Sequence, residues 1–168
     1  MNTRKATVDD VKDISRIYAQ SWKTAYVGMV PQRFLDTIDD ERWVEKFSRD
    51  IGDGTLQALM ICDGDTPAGC AAFGASRDEK MQGWGEIVSI YLHPEYFGRG
   101  YGEALLMATV GALKEQGYER IYLWVLRENE RARRFYEKHG FVDNGDACML
   151  DFMGEELVDL RYMLEAEQ

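Results

Sequence analysis

The sequence predicts a mixed α/β fold: a twisted, mainly antiparallel sheet of about seven strands with one parallel pair and helices on both faces. Three observations predict it. Apolar residues recur at helical spacing in the first fifty residues, whereas short apolar runs separated by turn clusters begin at Leu56. Between Ile87 and Leu126 the order is strand, glycine-rich loop, helix and strand. That order is typical of a crossover connection, which makes its two strands parallel.

The N-terminal part is expected to be mostly helical. After a short strand at residues 3–6, Thr7 and Asp10 have the spacing of a capping box, which marks a helix start. Two further helices are expected, at residues 31–39, where Pro31 suits the first turn, and at residues 41–49. The apolar stripe of the first helix consists of Val11, Ile14, Tyr18 and Trp22.

The remaining two thirds are expected to alternate between strands and two helices, at residues 102–115 and 129–139. The first two strands flank a DGDTP turn cluster and form a hairpin, and the last two form another around Gly154. The unbroken apolar run 121–126 predicts a central strand that is buried on both faces. The expected strands are residues 56–62, 68–73, 87–92, 121–126, 147–152 and 157–163.

Composition limits the classes of function. With 168 residues, 45% of them hydrophobic and 30% charged, residues 1–168 are expected to form one globular domain. The formal net charge of −10 repels phosphate backbones and anionic membranes, so neither nucleic acid nor a membrane is an expected partner. The same charge mildly favours a cationic partner, although acidic surfaces also serve solubility alone. A homodimer is left open.

Cysteine and histidine patterns give no metal site or disulfide framework. Cys62, Cys70 and Cys148 are odd in number and lie in apolar segments, as free buried thiols do. His93 and His139 share no metal-ligand spacing. The N-terminus MNTRKATVDD has no apolar signal segment, so a cytoplasmic location is expected.

A glycine-rich segment, FGRGYG, joins the strand 87–92 to the following helix. Glycine permits the positive φ values that turn successive N–H groups toward one point, and a helix N-terminus adds its positive dipole end. The segment therefore predicts a pyrophosphate cradle, with Arg99 at its rim. The alternative is a tight turn without a ligand.

These residues resemble the acetyl-coenzyme A loop of the GNAT superfamily of N-acetyltransferases, whose pattern is Gln/Arg-x-x-Gly-x-Gly/Ala. Phe97 departs from it, because the family usually has Gln or Arg there. A second segment, NERARRFYEKHGF at residues 129–141, is similar to the family's N-x-x-A-x-x-F-Y-x-x-x-G-F helix with its spacing intact. The resemblance covers essentially the whole chain.

The resemblance implies acetyl-CoA as cofactor and assigns residues to it. Tyr136 is expected to protonate the leaving thiolate, and Glu86 to act as base through water with a raised pKa. Glu86 as an ordinary solvated strand-end residue is equally open. Trp22 and Tyr26, with Trp43, are candidates for the acceptor pocket, although such aromatics are more often core. The implied cofactor-binding residues are Ile90, Tyr91, Leu92, Phe97, Gly98, Arg99, Gly100, Tyr101, Gly102, Asn129 and Tyr136.

The resulting hypothesis is an enzyme that transfers an acetyl group from acetyl-CoA to a primary amine of a small molecule, by direct attack in a ternary complex. Two alternatives stay open: acetylation of a protein or peptide N-terminus, and a regulatory module that binds acyl-CoA without turnover.

Overall fold

The structure is a computed structural model that describes residues 1–165. In this range a seven-stranded sheet has the order β1-β2-β3-β4-β5-β7-β6 and is accompanied by five α-helices. Among the strands of residues 1–165, only β4 and β5 run parallel, so the predicted fold class is confirmed. The strands are β1 Asn2–Lys5, β2 Gln57–Asp63, β3 Thr66–Ala75, β4 Gly85–Leu92, β5 Arg120–Leu126, β6 Val142–Phe152 and β7 Glu155–Glu165. The helices are α1 Val11–Ala25, α2 Gln32–Leu35, α3 Val44–Gly52, α4 Tyr101–Glu115 and α5 Glu130–Lys138.

The helices cover opposite faces of the sheet, as the alternation of side chains along β2 shows. Met60 packs with residues of α1 and α3, whereas its neighbour Ile61 packs against Leu105 of α4. Because successive strand residues point to opposite faces, α1 and α3 form one layer and α4 lies on the other. Tyr136 of α5 shares a core cluster with Leu106 of α4. Both faces of the sheet are therefore buried near its centre.

β5 is the buried central strand that its apolar run predicted. Ile121, Tyr122 and Leu123 are all buried, so both faces of the strand are covered. Its antiparallel neighbour β7 pairs with it along its whole length, from Arg120 to Leu126. By contrast, its pairing with β4 is short, and this asymmetry creates the site described below.

Three segments differ from the expectation. The helix expected at residues 31–39 ends at Leu35, because Thr37 and Ile38 donate to carbonyls three residues back in tighter turns. The helix expected at 41–49 begins at Val44, where Ser15 Oγ accepts the N–H of the cap residue Trp43. β6 begins at Val142, five residues before the expected start, and contains an irregularity that ends at Ala147.

Two smaller expectations were tested as well. Thr7 and Asp10 form the predicted capping box, but it caps a short 3₁₀ turn that leads into α1. The three cysteines are free; Cys62 and Cys70 are buried, whereas Cys148 is exposed because β6 lies at the sheet edge.

Among residues 1–165, no helix combines the length and apolar character that a membrane crossing requires.

Candidate active site

The strands β4 and β5 separate after three residue pairs. Pairing runs from Gly85 opposite Ile121 to Ile87 opposite Leu123 and then stops. At this point β4 contains one more residue than β3, because Ala72 pairs with Ser89 while the next residue of β3 pairs with Ile87. The extra residue is Val88, and such a bulge bends a strand and increases its twist. The rest of β4 thus leaves β5 and opens a gap in the sheet.

The open edge of β4 carries free backbone groups. His93 N–H, just after β4, donates to Ala68 O of β3 at 2.8 Å. Successive residues of an antiparallel strand direct their backbone groups to opposite edges. Leu92 and Ile90 therefore direct theirs away from β3, into the gap. An extended ligand can hydrogen-bond to such an edge as an added strand does.

The glycine-rich loop lies at one end of this gap, where α4 begins. Gly98 and Gly100 have φ values of 71° and 84°, which disfavour any other residue. A Cβ atom built on either glycine would meet nothing within 4 Å, so the space above the loop is open. The first N–H groups of a helix have no partner within it. The loop and the start of α4 thus present N–H donors to an open space, as an anion site requires.

A cavity of about 410 Å³ runs from the glycine loop along the gap. Its lining includes both separated strands, the first turn of α4 and residues along the whole length of α5. Arg131 also lines it, with its guanidinium carbon 5.3 Å from the centre of the Phe97 ring. Phe97 replaces a polar residue of the family pattern, and Arg131 supplies a cation to the same place by stacking on that ring. Sequence reasoning missed Arg131 because stacking between distant segments leaves no spacing pattern.

The helix α5 brings Asn129 and Tyr136 to the cavity. Asn129 Oδ1 caps the helix by accepting the N–H of Ala132 at 3.2 Å, and both Asn129 and Tyr136 line the cavity. Tyr136 is 9% exposed. Burial, with a smaller contribution from Tyr26, raises the pKa of Tyr136 above its ordinary value, so its hydroxyl stays protonated at neutral pH. Its role as a proton donor to a ligand in the cavity stays a prediction.

Glu86 is buried and paired, contrary to the expectation of a poised base. Arg77 donates three hydrogen bonds to its carboxylate, from the backbone N–H, Nε and Nη2, at 3.0, 3.1 and 2.7 Å. Burial alone would raise the pKa of Glu86, but these bonds outweigh it and lower the pKa. The predicted raised pKa is therefore wrong, and Glu86 does not line the cavity beside the glycine loop.

A second cavity, of about 320 Å³, opens toward β6 and β7. Trp22 and Tyr26, the predicted acceptor-pocket residues, both line it, and Tyr26 lines the first cavity as well. Asp159 of β7 is the carboxylate in its lining. The two cavities adjoin, and five residues line both of them: Tyr26, Val88, Tyr91, Trp124 and Leu126.

Burial raises the pKa of Asp159 to about 6, with a smaller contribution from the charge of Glu128. Sequence reasoning did not find Asp159. The signal that was available is an acidic residue inside the otherwise apolar strand segment LVDL.

Besides Glu86, three predicted residues lie outside both cavities. The guanidinium of Arg99 stacks on Tyr96 and Tyr101, and the Tyr101 ring packs in the core beneath α4. Trp43 packs against Tyr18 in the layer of α1 and α3. The side-chain contributions expected from these residues are therefore not supported, whereas the backbone N–H of Tyr101 remains at the start of α4. Within residues 1–165, no cluster of side chains suited to a metal ion is found.

Similar proteins were found by sequence. The model of the "Acetyltransferase (GNAT) family" matches residues 14–141. An uncharacterized N-acetyltransferase of Mycobacterium tuberculosis is 40% identical over 137 residues, which cover 81% of this chain and 85% of the relative. The spermidine N(1)-acetyltransferase of Thermoplasma acidophilum is 26% identical over 91% of this chain and 94% of its own.

Solved structures agree in fold. The PaiA N-acetyltransferase of Thermoplasma acidophilum, in complex with coenzyme A, superposes with a TM-score of 0.77 at 22% identity, over 98% of both chains. The yncA protein of Salmonella typhimurium, solved with acetyl-CoA, gives a TM-score of 0.74 at 19% identity, over 99% of this chain and 94% of that one. By its sequence match and by this fold, the chain belongs to the acetyltransferase (GNAT) family.

Proposed function

We propose that the protein transfers an acetyl group from acetyl-CoA to the primary amine of a small molecule, which attacks directly while both reactants are bound. The observation that carries this proposal is that the two cavities adjoin, with five residues lining both. One cavity extends to an anion cradle and the other to aromatic rings and a carboxylate. Two different ligands can thus approach each other at one point, which is the requirement for direct transfer.

The residues along the first cavity fit acetyl-CoA. Gly98 and Gly100 leave open space beside the N–H groups at the start of α4, where a diphosphate would bind. Ser89 Oγ is buried and has no hydrogen-bond partner within the described residues, and Ser89 lines this cavity. The free edge of β4 at Ile90 and Leu92 suits the amides of an extended arm. The coenzyme A complexes of related folds support the same cofactor.

When bound, acetyl-CoA supplies an activated acetyl group with a thiolate as leaving group. The protein's own contribution is position and proton transfer. Tyr136, which burial keeps protonated and which lines the first cavity, is the residue that we expect to donate a proton to the leaving thiolate. With both reactants bound beside the separated strands, the proposed transfer needs no covalent enzyme intermediate. The spermidine N(1)-acetyltransferase among its relatives supports a small amine as the acceptor.

Two measurements test this function. Acetyl-CoA is expected to raise the melting temperature in a saturable way, since it binds only the folded chain. Release of free thiol would then be measured across polyamines, monoamines, amino acids, aminoglycosides and peptides. Turnover of peptides alone would favour an N-terminal acetyltransferase. Saturable binding without turnover of any amine would favour a regulatory module, and absence of binding would contradict the cofactor assignment.

The role of Tyr136 has its own test. Tyr136→Phe removes only the hydroxyl, so we expect kcat to fall about 100-fold, as for loss of a general acid, while acetyl-CoA binding is nearly unchanged. Tyr118→Phe is the matched control, because Tyr118 lies outside both cavities. Equal turnover in the two variants would remove Tyr136 from the mechanism.

A further inference from the structure

We propose that the second cavity binds the acceptor as an alkylammonium ion, and that Asp159 is both its counter-ion and the group that takes its proton. This inference rests on the proposed function, since it names the acceptor class and the base of the same site. Three observations carry it: the rings of the cavity, the unpaired carboxylate within it, and the pairing of Arg77, the other charged residue of its lining, with Glu86.

Aromatic rings form much of the cavity. Trp22, Tyr26, Tyr91, Trp124 and Phe152 line it, and the first two rings lie 4.7 Å apart in an edge-to-face arrangement. Aromatic faces attract cations and pack well against methylene groups. A ligand that carries one positive nitrogen on an aliphatic chain matches both properties.

Asp159 is the carboxylate that faces this ring cluster without a partner. Within residues 1–165, its pKa is influenced by burial and by the charge of Glu128, and no hydrogen bond to its carboxylate contributes. Burial raises the pKa of Tyr26, with a smaller contribution from the charge of Asp159, and both residues line the cavity. An unpaired, partly buried carboxylate is costly unless a cation binds it.

The other ionisable groups around the cavity do not supply that cation. Arg77 lines the cavity, but its Nε and Nη2 already donate to Glu86. Tyr26 and Tyr91 share a hydroxyl contact of 3.2 Å, and burial raises the pKa of both. Cys148 of β6 lies opposite Asp159 in the sheet and adds a thiol. An ammonium ion from a ligand is therefore the natural partner of Asp159.

The proton step is balanced without any further reactant. One N–H bond of the ammonium breaks, its electron pair stays on nitrogen as the attacking lone pair, and the proton joins a carboxylate oxygen of Asp159. The carboxylic acid then returns the proton to solvent through the open mouth of the cavity. A pKa of about 6 makes Asp159 a better proton acceptor than an ordinary aspartate at neutral pH. Glu86, with its lowered pKa and its bonds to Arg77, is a poorer one.

The binding part of the inference can be tested without turnover. Binding of n-hexylamine would be measured by calorimetry for the wild-type chain, Asp159→Asn and Glu156→Gln, with coenzyme A present and absent. We expect Asp159→Asn to weaken binding at least about tenfold, the size of a lost charge-assisted contact. Glu156→Gln is the matched control, since it removes the same charge from an exposed position of the same strand and should bind as wild type does.

The catalytic part uses two amines. The alkylamine is a cation at neutral pH, whereas para-anisidine is uncharged and needs no counter-ion. Asp159→Asn should lower kcat/KM for n-hexylamine by at least about a hundredfold and for para-anisidine by far less. The wild-type profile of kcat/KM against pH should show an acidic limb near the pKa of Asp159, about 6, which the variant lacks. A melting curve and a second variant, Asp159→Ser, check that any loss is not due to unfolding.

The outcomes separate this inference from the proposed function. Equal binding of n-hexylamine by wild type and Asp159→Asn, or no binding by either, would overturn the inference even if the enzyme turns over other amines. An acidic limb that survives in Asp159→Asn and disappears in Glu86→Gln would also overturn it. A chain that fails to bind acetyl-CoA yet loses amine binding on replacement of Asp159 would refute the proposed function and retain the cation site.

Discussion

Glu86 and Asp159 are both carboxylates within the sheet, on β4 and β7, but they have opposite electrostatic surroundings. Glu86 is 2% exposed, and its carboxylate accepts three hydrogen bonds from Arg77. Asp159 is less deeply buried, and its pKa is raised to about 6 by burial, with the charge of Glu128 adding to it. Burial acts on both carboxylates in the same direction, and the presence or absence of a guanidinium decides the result. The comparison teaches that the deeper carboxylate serves the fold and the shallower one is free to serve a ligand.

Removal of the guanidinium should have the largest effect. Arg77→Met leaves Glu86 buried without its partner, which we expect to lower the free energy of unfolding by about 2–4 kcal/mol, allowing for the exposure of Arg77. Urea unfolding near neutral pH measures this. Arg16→Met, which breaks the surface pair with Asp13, is the control and should cost about 0–1 kcal/mol.

The stability lost in Arg77→Met should depend on pH, in a direction that the lowered pKa of Glu86 determines. The pKa of Glu86 is lowered in the folded state, so the stability contributed by Arg77 is present above the ordinary carboxyl pKa and is lost as pH falls through the folded value. The difference between wild type and Arg77→Met should therefore shrink below about pH 4. A difference that grows in acid, or one no larger than that of Arg16→Met, would contradict the structural role of the pair.

Neutralising the other carboxylate should have a smaller effect of the opposite sign. The pKa of Asp159 is raised to about 6, so its ionisation destabilises the fold above that pH. Asp159→Asn should raise the free energy of unfolding by about 1–3 kcal/mol near pH 8, and this gain should vanish below about pH 4. Urea unfolding at both pH values, with Glu156→Gln as the control, measures it. Lower stability at the higher pH would mean that the carboxylate has a stabilising partner.

The smallest effect concerns the charge beside Asp159. Glu128 contributes to the raised pKa of Asp159, and its side chain is 43% exposed, so solvent screens it. Glu128→Gln should move the acidic midpoint of the kcat/KM profile down by less than about half a pH unit. A larger displacement would show that Glu128, rather than burial, controls Asp159.

The cofactor side of the site was largely predictable from sequence, because its residues follow one another along the chain. The glycine loop, Asn129 and Tyr136 belong to two motifs with fixed spacing, and the structure brings all of them to one cavity. The fold class was predictable for a similar reason, since strand and helix periods are local. The predicted helix boundaries were wrong where side chains bind the backbone near a helix end. At Thr37, for example, the hydroxyl donates a hydrogen bond to Phe34 O.

The acceptor side was not predictable in the same way. The state of Glu86 depends on Arg77, nine residues earlier, and nothing in the spacing indicates that this arginine folds back onto it. Asp159 faces a cavity formed by α1, β4, β5 and β6, and its raised pKa comes from burial that only the assembled fold provides. Such environments depend on contacts between distant segments, which the sequence pattern alone does not contain.

The extra residue at Val88 makes the gap a matter of chain length rather than of side-chain chemistry. Many residues with a similar shape can occupy that position, whereas removing it would let β4 continue in step with β3. Because residues opposite each other on paired strands share a face, the other residues of β4 would keep their partners on β3 and their faces, and only the bend that opens the gap would be lost. The gap thus depends on the number of residues in β4 rather than on their identity, and point substitutions alone would rarely close it.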